Sequence, residues 1–309
     1  MDERQLRVLR ELGELGSVTA VADALFVTPS AISQQLRLLQ RTIAVPLTER
    51  AGRRVVLTAA GRALADAAVG VETALAGARE AVDRFVDDPS SSVSVAAFHS
   101  AAAAFFPALV RAAARTGGPQ IELADEDVAQ GDFPALTRDY DVVLAHRLDH
   151  SRSWPSGLAV TPLLHEPLDV ALPRAHPLAA KAHLVPRDVA GFPWITVHDG
   201  YPLGATIEAI AAAAGRPIQI AHRINDFTVA ADVVAAGGGL ALMPRWTTRY
   251  RAGVVLRPLT GVRSRRHIDA LCRPERAVRR AVADALAELR RTADAVQPQK
   301  RVDPRSGRR

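Results

Sequence analysis

The chain of 309 residues is long enough for about two or three domains, and a hydrophobic content of 48% supports buried cores, which excludes a disordered protein. The single cysteine, Cys272, excludes disulfide frameworks and cysteine zinc sites. The net charge of +6 permits a polyanionic partner without requiring one.

A supporting helix and two shorter helices are predicted at the start of the chain. Asp2 and Gln5 form a capping box for the first helix, and leucines recur after it at helical spacing. Ser17 caps the second helix. After a tight turn, Thr28 caps the third helix and Pro29 takes its first position, where a missing N–H costs nothing. This arrangement is typical of a helix-turn-helix.

The third helix carries a stripe of hydrogen-bonding side chains opposite an apolar face of Ile32, Leu36 and Leu39. Arginine and glutamine can pair with guanine and adenine in the major groove. From periodicity alone, an ordinary polar surface is the alternative interpretation. The residues predicted to contact DNA from this helix are Thr28, Pro29, Ser30, Ser33, Gln34, Arg37 and Arg41.

The next segment, LTERAGRRVVLT, is predicted to form a β-hairpin wing around Gly52. Arg53 and Arg54 lie beside the turn, where arginines can contact phosphates and so position a protein on DNA without reading its sequence. A solvated loop is the alternative interpretation of the same two residues.

Together, the stretches GSVTAVADALFVTPSAISQQLRLLQ, VPLTER and GRRVVLTAAG resemble the winged helix-turn-helix of LysR-type transcriptional regulators. The resemblance covers residues 2–61. Three positions depart from the family pattern, because Gln40 replaces a glutamate, Ala44 a glycine and Thr48 a phenylalanine. We expect these changes to alter local packing rather than DNA binding.

A long helix is predicted from Thr58, a good N-cap, to Asp87. Its apolar residues alternate by four and three positions, which is the pattern of a coiled-coil seam. At 1.5 Å per residue the helix extends roughly 40 Å, too far to bury the stripe in one small domain. Packing against the chain's own body is the alternative. The predicted dimerisation residues are Leu64, Ala68, Val71, Leu75, Ala78, Val82 and Phe85.

The family resemblance implies that this linker helix pairs two subunits, giving a homodimer or homotetramer. Two recognition helices would then meet half-sites related by dyad symmetry. After the helix, residues 87–92 are predicted to form a hinge.

Beyond the hinge, short apolar strands alternate with helical stretches, as in an α/β domain. Strands are predicted at residues 93–98, 121–124, 141–145, 168–173, 194–198, 218–224, 239–243 and 268–272, with a final helix at about 274–295. The stretches DYDVVLAH, EPLDVALPRAHPLA and VVAAGGGLALMP resemble the LysR-type effector domain more loosely. That resemblance implies two lobes related to periplasmic binding proteins.

The predicted fold class is therefore α/β, with an N-terminal winged helix-turn-helix, a long linker helix and a two-lobed effector domain. The predicted bounds are 1–58 for the DNA-binding domain, 59–88 for the linker helix, 89–297 for the effector-binding domain and 298–309 for a basic disordered tail. Within the effector domain, lobe 1 is predicted at about 92–162 and 268–297, and lobe 2 at about 163–267.

Three polar loops are candidates for an effector pocket, because ligands of open α/β sheets bind beyond the carboxyl ends of strands and often at helix N-termini. Each loop is a plain cap or turn in the alternative interpretation. Their donors and acceptors predict a small polar effector that bears a carboxylate. The three loops comprise His99, Ser100 and Ala101, then His198, Asp199, Gly200 and Tyr201, and then Asn225, Asp226, Phe227 and Thr228, while His146 and Arg147 are a weaker fourth candidate.

No catalytic site, cofactor or metal site is predicted. No G-x-S-x-G elbow occurs, and His146 and His150 share helical spacing around Asp149 without an H-E-x-x-H glutamate. With no signal-peptide pattern and no apolar run of about 18 residues, we expect a cytoplasmic protein that does not cross a membrane. The predicted partners are double-stranded DNA and a small-molecule effector. The alternative is a solute-binding or catalytic α/β protein with a basic helical appendage.

Overall fold

The computed structural model describes residues 1–52, 54–83, 92–116, 119–149, 151–199, 201, 203–248 and 253–297. The chain divides into two units. Unit 1 comprises residues 1–88 and 273–280, and unit 2 comprises residues 89–272 and 281–309.

The helices and strands follow one another along the chain. Those up to residue 136 are α1 (Glu3–Leu15), α2 (Val18–Ala24), α3 (Pro29–Gln40), β1 (Thr48–Ala51), β2 (Arg54–Leu57), α4 (Ala59–Asp83), β3 (Ser92–Ala97), α5 (His99–Thr116), β4 (Gln120–Asp125) and α6 (Phe133–Leu136). The later ones are β5 (Val142–Leu148), β6 (Ala159–Pro173), α7 (Pro186–Val189), β7 (Trp194–Thr196), α8 (Leu203–Ala214), β8 (Ile220–Arg223), α9 (Phe227–Ala235), β9 (Leu240–Pro244), β10 (Val254–Arg257), β11 (Arg265–Cys272), α10 (Pro274–Ala277) and α11 (Arg280–Val296).

The predicted caps of the first three helices are confirmed. The Asp2 carboxylate accepts from the Gln5 backbone N–H at 2.9 Å, and the Gln5 side chain accepts from the Asp2 N–H at 3.2 Å. The Ser17 and Thr28 hydroxyls cap α2 and α3, and Pro29 lies in the first turn of α3. These bonds satisfy N–H groups that a helix leaves unpaired at its start.

The core of unit 1 joins the three helices to the hairpin of β1 and β2. Leu9, Leu39, Leu47 and Leu57 are among its buried members. α4 begins against this hairpin so closely that a Cβ at Gly61 would lie 2.0 Å from the Leu47 carbonyl oxygen. Only glycine fits at that position, so the winged helix-turn-helix and the start of α4 form one packed body.

Buried ion pairs also hold unit 1 together, and the sequence did not predict them. The Arg10 guanidinium donates to Glu72 at 2.6 Å and to Glu275 at 2.9 Å. Arg273 donates to Glu11 at 2.6 Å. Burial, partly offset by the Arg10 charge, raises the pKa of Glu72. Removing one partner of such a pair leaves a buried charge uncompensated, which makes these pairs structural.

In unit 2 the strands form one continuous sheet in the order β4-β3-β5-β11-β6-β9-β7-β8, with β10 also paired to β6. β3 is parallel to β4 and β5, whereas β11 is antiparallel to β5 and β6. β6 pairs with β11 as far as Pro167 and with β9 from Leu168 onward. This change of partner separates two lobes, with β3, β4, β5 and β11 in lobe 1 and β7 to β10 in lobe 2.

Several elements of unit 2 differ from their predicted bounds. β6 begins at Ala159 and changes lobe after Pro167, later than the predicted crossing near residue 162. Prolines at 162 and 167 hide this strand, because proline cannot donate to the ladder. β11 begins at Arg265, so the return crossing precedes residue 268. β10 was not predicted, and the predicted final helix is two helices, α10 and α11.

Some predictions concern residues outside the described ranges. They are those for Arg53, Phe85, His150 and Gly200, for most of the hinge at 87–92, and for the tail at 298–309. Within the ranges that are described, no helix combines the length and the apolar character needed to cross a membrane.

Candidate functional site

The polar stripe of α3 lies on the surface of unit 1. Thr28, Ser30, Gln34, Arg37 and Arg41 are exposed, and Ser33 is half-buried. The helix orders two of these side chains, because the Ser33 hydroxyl donates to the Pro29 carbonyl at 2.9 Å and Arg37 Nε donates to the Ser33 carbonyl at 3.2 Å. An ordered, exposed stripe of this kind is suited to base contacts in a major groove.

The wing adds exposed positive charge to the same unit. Arg54 is exposed at the start of β2, beside the glycine turn at Gly52. Arg50, on β1, is also exposed and was not among the predicted DNA contacts. Both arginines belong to a hairpin whose register pairs Ala51 with Arg54 and Arg50 with Val55.

The predicted dimerisation stripe of α4 divides between two environments. Ala68 is only 1% exposed and Leu64 packs against the core of unit 1, so these two side chains are occupied by their own chain. Val71 and Val82 are 43% and 65% exposed. The prediction that Leu64 and Ala68 belong to the dimerisation seam is therefore wrong, because their own chain covers them. The exposed apolar positions of α4 instead include Ala67, Val71, Ala74, Ala78 and Val82.

A pocket lies between the two lobes of unit 2. Six predicted effector residues line it: His99, Ser100, His146, Tyr201, Asn225 and Phe227. Five others were missed: Phe98, Asp127, Val197, Leu203 and Arg266. The N-terminus of α5 contributes from lobe 1 and that of α9 from lobe 2, which agrees with the rule used to select the loops.

Arg266, which lines the pocket, forms a buried ion pair with Glu166 on the neighbouring strand β6. Arg266 donates to Glu166 Oε2 from Nε at 3.0 Å and from Nη2 at 2.9 Å. The same Nη2 donates to the hydroxyls of Ser100 at 3.0 Å and Thr247 at 2.7 Å. Glu166 is fully buried, and its Oε1 accepts the backbone N–H groups of Trp246 and Thr247. The pair is thus well satisfied by hydrogen bonds, as a buried charge requires.

His146 lies at the base of the pocket as a neutral imidazole. Its ring packs edge-on against Phe98 and Phe133, at centroid distances of 4.6 and 5.4 Å. Burial, followed by the nearby charge of Arg266, lowers the pKa of His146 to about 3. At neutral pH this side chain therefore offers a hydrogen bond without a charge.

Other side chains of the pocket link the two lobes or add polar groups to its wall. The Tyr201 hydroxyl donates to the Asp127 backbone carbonyl at 3.1 Å, which joins lobe 2 to lobe 1. Burial raises the pKa of Asp127, against the opposing effect of His99. The Arg266 guanidinium lies 5.3 Å from the Phe98 ring centre and 5.6 Å from that of Phe227. The pocket therefore combines aromatic walls with a few polar groups.

The remaining candidates lie outside this pocket. Asp199 is 93% exposed and pairs with Arg223 at 3.1 Å. It lies three residues beyond Thr196, the last residue of β7. His198 is also exposed. Asp226 caps α9 by accepting from the N–H groups of Thr228 and Val229. Two more predicted residues point elsewhere, namely the fully buried Ala101 and Arg147, which pairs with Asp269.

The cavity between the lobes has a volume of about 30 Å³. That is room for roughly one water molecule, whereas pockets for small organic ligands enclose roughly 300–1,000 Å³. An organic effector therefore enters only if the lobes or the lining side chains move apart.

An exposed recognition helix with a wing, a long helix, and a two-lobed α/β domain with a pocket between its lobes together define a ligand-responsive DNA-binding regulator. Residues 3–62 match the family model described as "Bacterial regulatory helix-turn-helix protein, lysR family". Residues 87–294 match the model described as "LysR substrate binding domain". The chain belongs to the LysR family of transcriptional regulators.

Curated relatives and solved structures agree with this assignment. The DNA-binding transcriptional dual regulator OxyR of Escherichia coli is 26% identical over 283 residues, covering 89% of this chain and 90% of that protein. The regulator IlvR of Caulobacter vibrioides is 29% identical over 257 residues, covering 79% and 82%. A full-length OxyR variant from Pseudomonas aeruginosa shares the fold, with a TM-score of 0.60 and 20% identity over 94% of this chain and 95% of that one.

Proposed function

We propose that this chain binds a dyad-symmetric DNA operator as a homo-oligomer and regulates transcription in response to a small polar effector. The exposed stripe of α3 is the observation that supports specific binding, because its arginines and glutamine can pair with base edges. Family members are transcriptional regulators. We therefore prefer this function to a solute-binding or catalytic role. Because the proposed partner is DNA, we also propose that the protein acts in the cytoplasm.

Two arginines distinguish base reading from phosphate contact. Arg37→Ala should weaken operator binding by about 1–3 kcal/mol and affect random DNA much less, because a base contact is lost. Arg54→Ala should weaken binding to all sequences alike and reduce the salt slope by about 1, because a phosphate contact is lost. Binding is measured by fluorescence anisotropy at several salt concentrations, on a fragment selected from the region upstream of the chain's own gene.

The two variants control for each other, since each removes one exposed arginine from unit 1. An Arg37→Ala chain that loses equal affinity for operator and random DNA would contradict the base-reading role of α3. The wing assignment fails if Arg54→Ala leaves the salt slope unchanged.

The effector proposal rests on the groups around the pocket. The N-terminus of α5 presents the positive end of the helix dipole, which favours a carboxylate. Asp127 offers an acceptor for an ammonium or hydroxyl group. We therefore propose an amino acid or small organic acid as the effector, with the aromatic rings of Phe98 and Phe227 flanking it.

Thiol chemistry is a poor alternative for the sensing step. A relative from Escherichia coli is named "Hydrogen peroxide-inducible genes activator". The 309 residues of this chain contain one cysteine, Cys272, which is buried in β11. An intrachain disulfide needs two thiols within bonding distance. The pocket between the lobes is therefore the better-supported sensor.

A further inference from the structure

A cluster of metal-ligand type lies on lobe 1, away from the effector pocket. Asp149 Oδ1 is 2.8 Å from His165 Nε2 and 2.9 Å from His267 Nε2. One nitrogen from each imidazole and one carboxylate oxygen thus approach the same point, and all three atoms lie within 4.8 Å of one another.

Backbone pairing holds these three side chains in place. His165 on β6 and His267 on β11 are directly opposite each other in an antiparallel ladder. Their rings stack with centroids 4.2 Å apart and an angle of 11° between planes. Asp149 directly follows β5, the strand that pairs with the other side of β11. Two of the donors are therefore carried by adjacent strands, which position ligands more precisely than a loop does, and the third lies in the turn that directly follows a neighbouring strand.

We propose that Asp149, His165 and His267 bind a divalent transition-metal ion of the Zn²⁺ type. Two imidazoles and one carboxylate are a ligand set that zinc accepts in proteins, with a further position left for water or another ligand. Zinc–donor bonds of about 2.0–2.2 Å in a tetrahedral site set the donors about 3.4 Å apart. The observed separations of 2.8 and 2.9 Å need an expansion of about half an ångström, and the stacked imidazole rings have to rotate so that both Nε2 atoms face the ion.

The surroundings permit an ion to enter and remain. The side chains of Asp149, His165 and His267 are 20%, 42% and 28% exposed, so solvent reaches the cluster. Arg147, which lies opposite His267 in the ladder of β5 and β11, pairs through its guanidinium with Asp269 at 3.2 Å. Trp154 Nε1 donates to the same Asp269 oxygen at 2.7 Å, which holds that carboxylate beside Arg147.

The cluster shares its strands with the effector pocket but faces the other way. His165 is followed by Glu166, and His267 is preceded by Arg266, and these two neighbours form the buried ion pair beside the pocket. Successive residues of a strand point to opposite faces of the sheet. A metal ion would therefore fix, from the opposite face, the register of the two strands that carry Glu166 and Arg266.

The test is a zinc titration of the metal-free full chain in competition with a chromophoric chelator. The native chain should bind one equivalent of Zn²⁺ tightly. Asp149→Asn, His165→Gln and His267→Gln should each weaken that binding about 100-fold or more, because loss of an outer-shell partner alone costs 10–100-fold. His183→Gln removes an exposed histidine elsewhere in the unit and should leave the affinity unchanged. Thermal melting of each variant checks that it is folded.

A second measurement needs no substitution. Binding of Zn²⁺ to the native chain should shift the side-chain Nε2 signals of two histidines in ¹⁵N nuclear magnetic resonance spectra, and Co²⁺ should give the visible bands of a tetrahedral site. A native chain that takes up no stoichiometric Zn²⁺ would show that the cluster is only a hydrogen-bonded His–Asp–His group. Stoichiometric binding that survives all three substitutions would place the ion elsewhere. Either result overturns the proposal.

Discussion

The Gln40 side chain shows how one residue can fasten two structural elements. Its Nε2 donates to the carbonyl oxygens of Ile43 at 3.1 Å and Val45 at 2.9 Å. Its Oε1 accepts the Leu47 N–H at 2.8 Å. The end of α3 is thereby joined to the loop that leads into β1. A glutamate, the residue that the family pattern has here, could accept from Leu47 but has no N–H to donate.

Gln40→Glu should therefore lower the free energy of unfolding by about 1–3 kcal/mol at neutral pH, because two carbonyl oxygens would face a carboxylate instead of a donor. Gln34→Glu, at an exposed position on the same helix, should change it by less than about 0.5 kcal/mol. Urea unfolding of the full chain measures both. Equal stability of the Gln40→Glu and native chains would show that these bonds make no net contribution.

At the scale of an element, α4 has one buried face and a neighbouring face that is exposed. Gly61, Ala65, Ala68 and Glu72 face the rest of unit 1 and are buried. The adjacent stripe is small, apolar and exposed. Heptad spacing placed Ala68 in the seam because periodicity finds an apolar stripe without identifying what covers it.

If the exposed stripe of α4 pairs the subunits of the proposed homo-oligomer, Val71→Asp combined with Ala78→Asp should produce monomers, because the paired stripe would bury like charges against each other. Sedimentation velocity measures the change, and near-ultraviolet circular dichroism checks that unit 2 stays folded. Ala212→Asp with Ala213→Asp adds the same two charges to an exposed part of α8 and should not alter the oligomer. If the first variant sediments like the native chain, α4 does not form the subunit contact.

At the scale of the whole molecule, the lobes of unit 2 are held together by the Tyr201 hydrogen bond across the pocket and by the hydrogen bonds of Arg266 and Glu166 to Thr247. Because the cavity of about 30 Å³ is too small for an organic acid, binding has to be coupled to movement of the lobes or side chains. A ligand that binds only the folded state stabilises it by about 2.7 kcal/mol at 100 times its Kd.

A screen of polar carboxylates should thus contain a compound that raises the melting temperature of the full chain. Ser100→Val should abolish that shift, because the larger side chain fills the pocket and removes an acceptor from Arg266. Asp199→Asn should retain the shift, since Asp199 lies outside the pocket. An apolar aromatic compound that stabilises the chain while every carboxylate fails would contradict the proposed effector chemistry.

The sequence by itself determined the features whose causes lie within a few residues of one another. Caps at Asp2, Ser17 and Thr28 and the apolar face of α3 act within one or two helical turns, so the helix-turn-helix could be predicted almost residue by residue. Strand and helix alternation likewise predicted the α/β character of unit 2. The pocket loops at His99 and Asn225 followed from the general rule for open sheets.

Only the tertiary structure decided which distant side chains meet. Glu166 and Arg266 form a buried ion pair, and Asp149 joins His165 and His267, because β6 and β11 are neighbours in the sheet although they are far apart along the chain. Local pattern shows that a charged residue alternates with apolar ones, but not which strand lies beside it. Strand order and register depend on the packing of the whole sheet, and no short stretch of sequence carries that information.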